Sequence, residues 1–188
     1  MDFKKLKITT PQKLLEYFNK NFMYGFTYRG KVFVENSLTF NNDFNKFYKI
    51  RLKEDFVKNK YGVCWDYCEF EREFFSSVGI KHTCYFVLNF LTREDGGPTH
   101  TFLLYEQNNK WFWFEWAWQQ FRGIWEYNTK EEALADVLTK FVELNAVQYD
   151  HTDGYEFNKV SKRLNAYLFV EHCMQGKPLN INDILNKK

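Results

Sequence analysis

Three residues, well apart in the chain, have the types needed for nucleophilic chemistry. Cys64 lies in KYGVCWDYCEFEREFFSSVGI (residues 60–80), His100 in THTFLLYEQ and Glu115 in KWFWFEWAW. Cys64 follows Gly62 and Val63 at the point where a helical pattern begins. A free thiol has a pKa near ~8.5, and a helix N-terminus lowers it toward the range of reactive thiolates. The cause is the macrodipole, which places roughly half a positive charge there. Neither Gly62 nor Val63 carries a side-chain oxygen that could cap the helix. The first N–H groups are therefore expected to be open to an anion, as an oxyanion site requires. The alternative for Cys64 is a small buried hydrophobe.

His100 and Glu115 are connected by a hairpin. With Asn108 and Asn109 as a two-residue turn, Gln107 faces Lys110, Leu104 faces Trp113, Phe102 faces Glu115 and His100 faces Ala117. Strand alternation then puts His100, Phe102, Glu115 and Ala117 on one face. His100 and Glu115 become diagonal neighbours, roughly 7–8 Å apart between backbones and within reach of long side chains. A slip of one residue would separate them. A carboxylate beside a histidine holds one tautomer and favours the imidazolium. A cysteine at a helix start with such a pair makes an activated thiol nucleophile: the base takes the thiol proton and the acid orients the base.

Other polar residues compete for roles. Asp95, in the loop TREDGGP, could replace Glu115 as the acid if that loop folds back. Cys64 and Cys68 lie four apart on the expected helix and with a histidine could suggest zinc, but zinc sites draw on tighter paired motifs. No metal and no cofactor are expected. Asp66 sits in the first helical turn, where the dipole favours it. Glu71 interrupts the apolar face formed by Cys64, Tyr67, Cys68, Phe74, Phe75 and Val78. His151 and Asp153, in HTDGYEFN, read as turn residues, and His82 and His172 have no evident partner. The tryptophans at 111, 113, 116 and 118 alternate across both faces, some expected under the cysteine helix and some at a substrate groove.

The elements that must position these residues follow from local pattern. TTPQKLLEYFNKNF reads as a first helix, with Thr10 as cap and Pro11 at the first helical position. KVFVEN reads as a short strand and KFYKIRLKEDFVKNK as a weaker helix ending near Gly62. The cysteine helix closes at Gly79. The period then changes: HTCYFVLNF, THTFLLYEQ and KWFWFEWAW are β-branched and aromatic runs. NTKEEALADVLTKFVEL reads as a helix, with Thr129 and Glu132 at capping-box spacing, and a last helix lies near NAYLFVEHCMQGK. Helices around a run of antiparallel strands give an α+β fold.

The composition bounds the rest. A 188-residue chain that is 45% hydrophobic and 27% charged reads as globular, one domain over residues 1–188. The 21% aromatic content fits a heavy aromatic core. A net charge of +2 with no basic block gives no case for nucleic acid. No apolar run is long enough to span a membrane. MDFKKLKITTPQ lacks the apolar segment of a signal peptide, so a cytoplasmic location is expected. The four cysteines are then expected as free thiols.

YGVCWDYCEFEREFFSSVGI, THTFLLY and WFWFEWAW together resemble the transglutaminase-like superfamily, over roughly residues 60 to 118. That family has G-x-C at a helix start, a histidine opening an apolar strand and an acid ending the next. The resemblance implies Cys64 as nucleophile, His100 as base and Glu115 as third member. It also implies a papain-like α+β fold with the cysteine helix against an antiparallel sheet. Members include transglutaminases, thiol proteases, deamidases and inactive binding versions. The implied substrate is a protein, a peptide or a small amide. Two features depart from the pattern. The third member is more often Asp, and no upstream side chain completes an oxyanion hole, which leaves the Cys64 N–H. The acyl acceptor and the oligomeric state are left open.

Overall fold

A computed structural model describes residues 2–34, 40–90 and 97–185. Helix α1 (Pro11–Asn21) starts as expected: the Thr10 hydroxyl accepts from the Lys13 N–H at 3.2 Å and Pro11 fills the first turn. Short strands β1 (Met23–Tyr24), β2 (Phe26–Tyr28) and β3 (Lys31–Phe33) follow. The strand expected in KVFVEN is β3, paired antiparallel with β2.

Of the helix expected over KFYKIRLKEDFVKNK, only Lys53–Asn59 forms one, α3, and its first two residues end a separate helix, α2 (Phe40–Phe47). Distant partners take the backbone between them. Lys49 bridges Asn165, the Ile50 N–H donates to Leu164 O at 2.8 Å, and the Arg51 N–H donates to Asp66 Oδ1 at 2.7 Å. Three tertiary contacts outweigh the local helical pattern. Strand β4 (Tyr61–Gly62) pairs parallel with β1 and leads into α4 (Cys64–Ser77). Gly62 is required there, because a Cβ would lie 2.3 Å from the Phe56 ring. After α4, Gly79 turns the chain at φ +71°.

Strands β5 (His82–Asn89), β6 (Thr99–Gln107) and β7 (Lys110–Glu115) are the three expected runs, and β8 (Gly123–Tyr127) follows them. Helix α5 (Lys130–Asn145) opens at Thr129, which accepts from the Glu132 N–H, while the Glu132 carboxylate accepts from Asn128 N–H. Strand β9 (Thr152–Glu156), helix α6 (Ala166–Met174), strand β10 (Lys177–Pro178) and helix α7 (Ile181–Leu185) complete the described chain. Pairing is antiparallel throughout the main sheet, in the order β10-β9-β5-β6-β7-β8. Asp153 is therefore no turn residue but lies in β9, whose ladder to β5 runs from Asn89↔Thr152 to Tyr85↔Glu156, while His151 ends a single 3-10 turn, Tyr149–His151. That strand is short, polar and contains a glycine, so its own composition argues against it.

The fold is α+β. One face of the sheet, with Cys84, Phe86, Leu103, Tyr105 and Phe114, packs against α4 and the aromatic side chains of α1 and α3. The other, with Tyr85, Val87, Phe102, Leu104 and Trp113, packs against α5 and α7.

Candidate active site

The start of α4 is held from behind by Asp66. Its Oδ2 accepts from the Val63 N–H at 2.9 Å and its Oδ1 from the Arg51 N–H at 2.7 Å. This is half of a capping box, because Val63 has no oxygen with which to return the bond. The Asp66 and Tyr67 N–H groups both donate to Val63 O, at 2.9 and 3.1 Å. The N–H groups of Cys64 and Trp65 have no hydrogen-bond partner among the described residues. Burial pushes the Asp66 carboxyl up to about 6, against the lowering effect of the two backbone donors.

Asn108 and Asn109 have φ of 54° and 59°, the left-handed pair that a tight primed turn needs. The resulting ladder runs from Gln107↔Lys110 through Leu104↔Trp113 and ends at Leu103↔Phe114. Glu115 instead pairs with Gly123 of β8. Past the end of the β6–β7 ladder, His100 Nε2 lies 2.8 Å from Glu115 Oε2. The second carboxylate oxygen, Oε1, accepts from the Trp118 N–H at 2.8 Å. The Trp118 ring stacks on the imidazole at 4.2 Å and 21°, so the base is clamped in its plane as well as along its edge. His100 and Glu115 are 3% and 2% exposed.

With Nε2 held by Glu115, Nδ1 is the ring nitrogen left for Cys64. Burial opposes a charge on His100 more than any single other influence. Glu115 and the Cys64 thiol together overcome it and raise the imidazole to about 10. Cys64, His100 and Glu115 are thus in one place, although they come from opposite faces. By alternation His100 and Glu115 belong with Phe102 and Trp113, while Cys64 packs with Cys84 and Phe114. They meet where the β6–β7 ladder has ended. Asp95, the alternative acid, lies outside the described residues.

The remaining candidates are accounted for differently. His82 contacts Ile80 O and the Ser76 hydroxyl, and His172 contacts Asn158 O. Cys68, Cys84 and Cys173 are buried free thiols. Burial drives Cys68 and Cys173 upward. No group of three or more His, Cys, Asp or Glu side chains is arranged for a metal among the described residues. Trp111, Trp113 and Trp118 pack with the α5 face and Trp116 with the α4 face. Glu71, which interrupts the apolar face of α4, is 3% exposed and has no hydrogen bond or ion pair among the described residues. Its carboxyl is raised well above the ordinary value, first by burial and then by Glu115, Cys84 and Cys64.

Sequence reasoning missed the stacking of Trp118 on His100 and the capping role of Asp66. Asp66 had a legible signal, since it stands three residues after the last non-helical residue. Trp118 had none, because its stacking depends on how the chain turns after Glu115.

A family model described as a transglutaminase-like domain matches residues 3–144. The chain belongs to that family. The match covers Cys64, His100 and Glu115 and runs from before α1 nearly to the end of α5. Strand β9, which borders β5 in the same sheet, lies beyond the transglutaminase-like match. No curated protein and no solved structure shows a significant match to the chain. No described helix is long and apolar enough to cross a membrane.

Proposed function

We propose that this transglutaminase-like chain is a thiol enzyme acting on an amide bond, with Cys64 as nucleophile, His100 as base and Glu115 as the acid that orients it. The buried 2.8 Å His100–Glu115 contact beside Cys64 carries the reading. A histidine held in one tautomer, clamped by an indole and raised to about 10, is a proton acceptor for the thiol. The thiolate sulfur attacks the amide carbonyl carbon and the oxygen takes the negative charge. The unpartnered N–H groups of Cys64 and Trp65 supply the oxyanion donors. The imidazolium returns its proton to the departing amine, the C–N bond breaks and a thioester remains. Water or a second amine, deprotonated by His100, then attacks the thioester and frees the thiol. The substrate is a protein, a peptide or a small amide.

Timed alkylation with iodoacetamide at about pH 6, where an ordinary thiol is almost wholly protonated, tests this directly. Cys64 is expected to react first, ahead of Cys68, Cys84 and Cys173. His100→Ala is expected to slow it sharply, and Glu115→Gln less so. Similar rates at all four cysteines, or a Cys64 rate indifferent to His100→Ala, would remove the proposal.

The second reading is a binding module that has lost turnover. One observation favours it: Cys64 is only 6% exposed. A cavity of about 350 Å³ near the start of α4 is lined by Arg51, Phe56, Asp66 and Glu69 and excludes all three residues. Peptide and glutamine-mimic electrophiles separate the two readings, since an enzyme is labelled at Cys64 by probes of its substrate class and a closed relic is labelled by none.

A further inference from the structure

Trp116 follows Glu115 in the chain and is 1% exposed. Its ring lies 4.3 Å from that of Tyr67, one turn along α4 from Cys64. Two exposed polar side chains are organised by this one buried indole. Arg122 lies across it, with Cζ 4.0 Å from the ring centroid, and its Nε donates to Trp116 O at 2.7 Å. Asn19, on α1, accepts from the indole Nε1 at 2.8 Å.

An indole N–H can only donate, so this bond identifies the amide oxygen of Asn19 and leaves its NH₂ as a free donor. Among the described residues only the Nε of Arg122 donates a hydrogen bond, and its two terminal NH₂ groups have no protein acceptor. Among the described residues neither side chain has a carboxylate partner. The result is a cluster of donors without an acceptor, fixed in orientation beside the residue that follows the candidate catalytic acid. A role limited to covering Trp116 would explain the stacking of Arg122. It leaves the exposed guanidinium fork and the exposed Asn19 NH₂ open to a ligand on the same indole.

We propose that Asn19 and Arg122 form the anchor for a carboxylate on the substrate, next to the amide that Cys64 attacks. The inference rests on the thiol-enzyme reading above. A planar guanidinium matches a carboxylate through two parallel hydrogen bonds, and an amide NH₂ adds a third donor. The carboxylate can belong to an Asp or Glu side chain or to the C-terminus of a peptide.

The test uses Cys64→Ala protein, which cannot turn over, so that binding is read apart from the nucleophile. A synthetic library of random short peptides is panned on it, once with free and once with amidated C-termini. Retained peptides are expected to be enriched about ten- to a hundred-fold in Asp and Glu, or in free over amidated termini, the worth of a charge-assisted hydrogen bond. Enrichment in the amidated library assigns the carboxylate to a side chain; enrichment confined to free termini assigns it to the C-terminus. Adding Arg122→Gln should abolish the bias, Arg122→Lys should keep part of it through charge alone, and Asn19→Asp should reverse it. Retention of no peptide, retention without acidic bias, or a bias unchanged by Arg122→Gln would overturn the anchor. Iodoacetamide labelling of the unaltered protein reports on the nucleophile separately, so failure of that reading is told apart from failure of this one.

Discussion

Helices α4 and α5 flank the same sheet but bury different chemistry. The inward side of α5 holds Ala133, Leu134, Val137, Leu138 and Phe141, with no charged residue. The inward side of α4 holds Cys64, Cys68, Phe70, Phe74 and Phe75, and with them Asp66, Glu69 and Glu71 at 1%, 8% and 3% exposure. Burying a carboxyl costs free energy unless it is hydrogen-bonded. Asp66 takes two backbone N–H groups, and Glu69 takes Arg72 Nε at 3.1 Å and the Val160 N–H. Glu71 has none. The inward side of α5 contributes apolar area only, while that of α4 also buries three carboxyls along with the thiol.

Single substitutions can break that contrast. The largest effect is expected from His100→Ala, which should lower the Cys64 alkylation rate by on the order of 10²–10⁴-fold, the range of general acid–base contributions. Leu138→Ala, on the apolar side, should cost about 2–5 kcal/mol in chemical denaturation, yet leave the alkylation rate of folded protein unchanged. If it slows alkylation as His100→Ala does, the two sides are not separable. Asp66→Ala leaves the buried Val63 N–H without its acceptor, at about 1–3 kcal/mol, and also the part-buried Arg51 N–H. It should lower stability and slow alkylation together, because it loosens the turn that sets Cys64.

Two smaller effects concern pH. His100 is raised from 6.5 to about 10 in the folded state, so its stabilising contribution is complete below 6.5 and is lost as pH rises through about 10. The stability gap between wild type and His100→Ala, followed by thermal melts, should narrow across that window. Glu71 is also raised in the folded state, above its ordinary 4.5. Its contribution is present below 4.5 and declines as pH rises toward its folded value. Glu71→Gln should therefore stabilise the protein near neutral pH and change little at pH 4. Equal stabilisation at both pH values would mean that packing, and not ionisation, is what Glu71 costs.

Local pattern was enough to propose the pieces of the candidate site and one of its geometric relations. The period of two in THTFLLYEQ and KWFWFEWAW, with a turn at Asn108–Asn109, puts His100 and Glu115 on one side of a hairpin, and strand alternation leaves no other outcome once that register holds. Gly62 and Val63 mark the start of α4 because neither can cap it. These features depend on neighbours a few residues apart. The break between α2 and α3, the strand made from Thr152–Glu156, the depth of Glu71 and the indole over His100 depend on partners far along the chain. The thiol reaches the imidazole only because the β6–β7 ladder stops at Leu103↔Phe114, where a helix on one face approaches side chains from the other. A short stretch of sequence encodes its own periodicity but not which distant backbone will take its hydrogen bonds, and those long-range bonds decided where the chain departs from its local pattern.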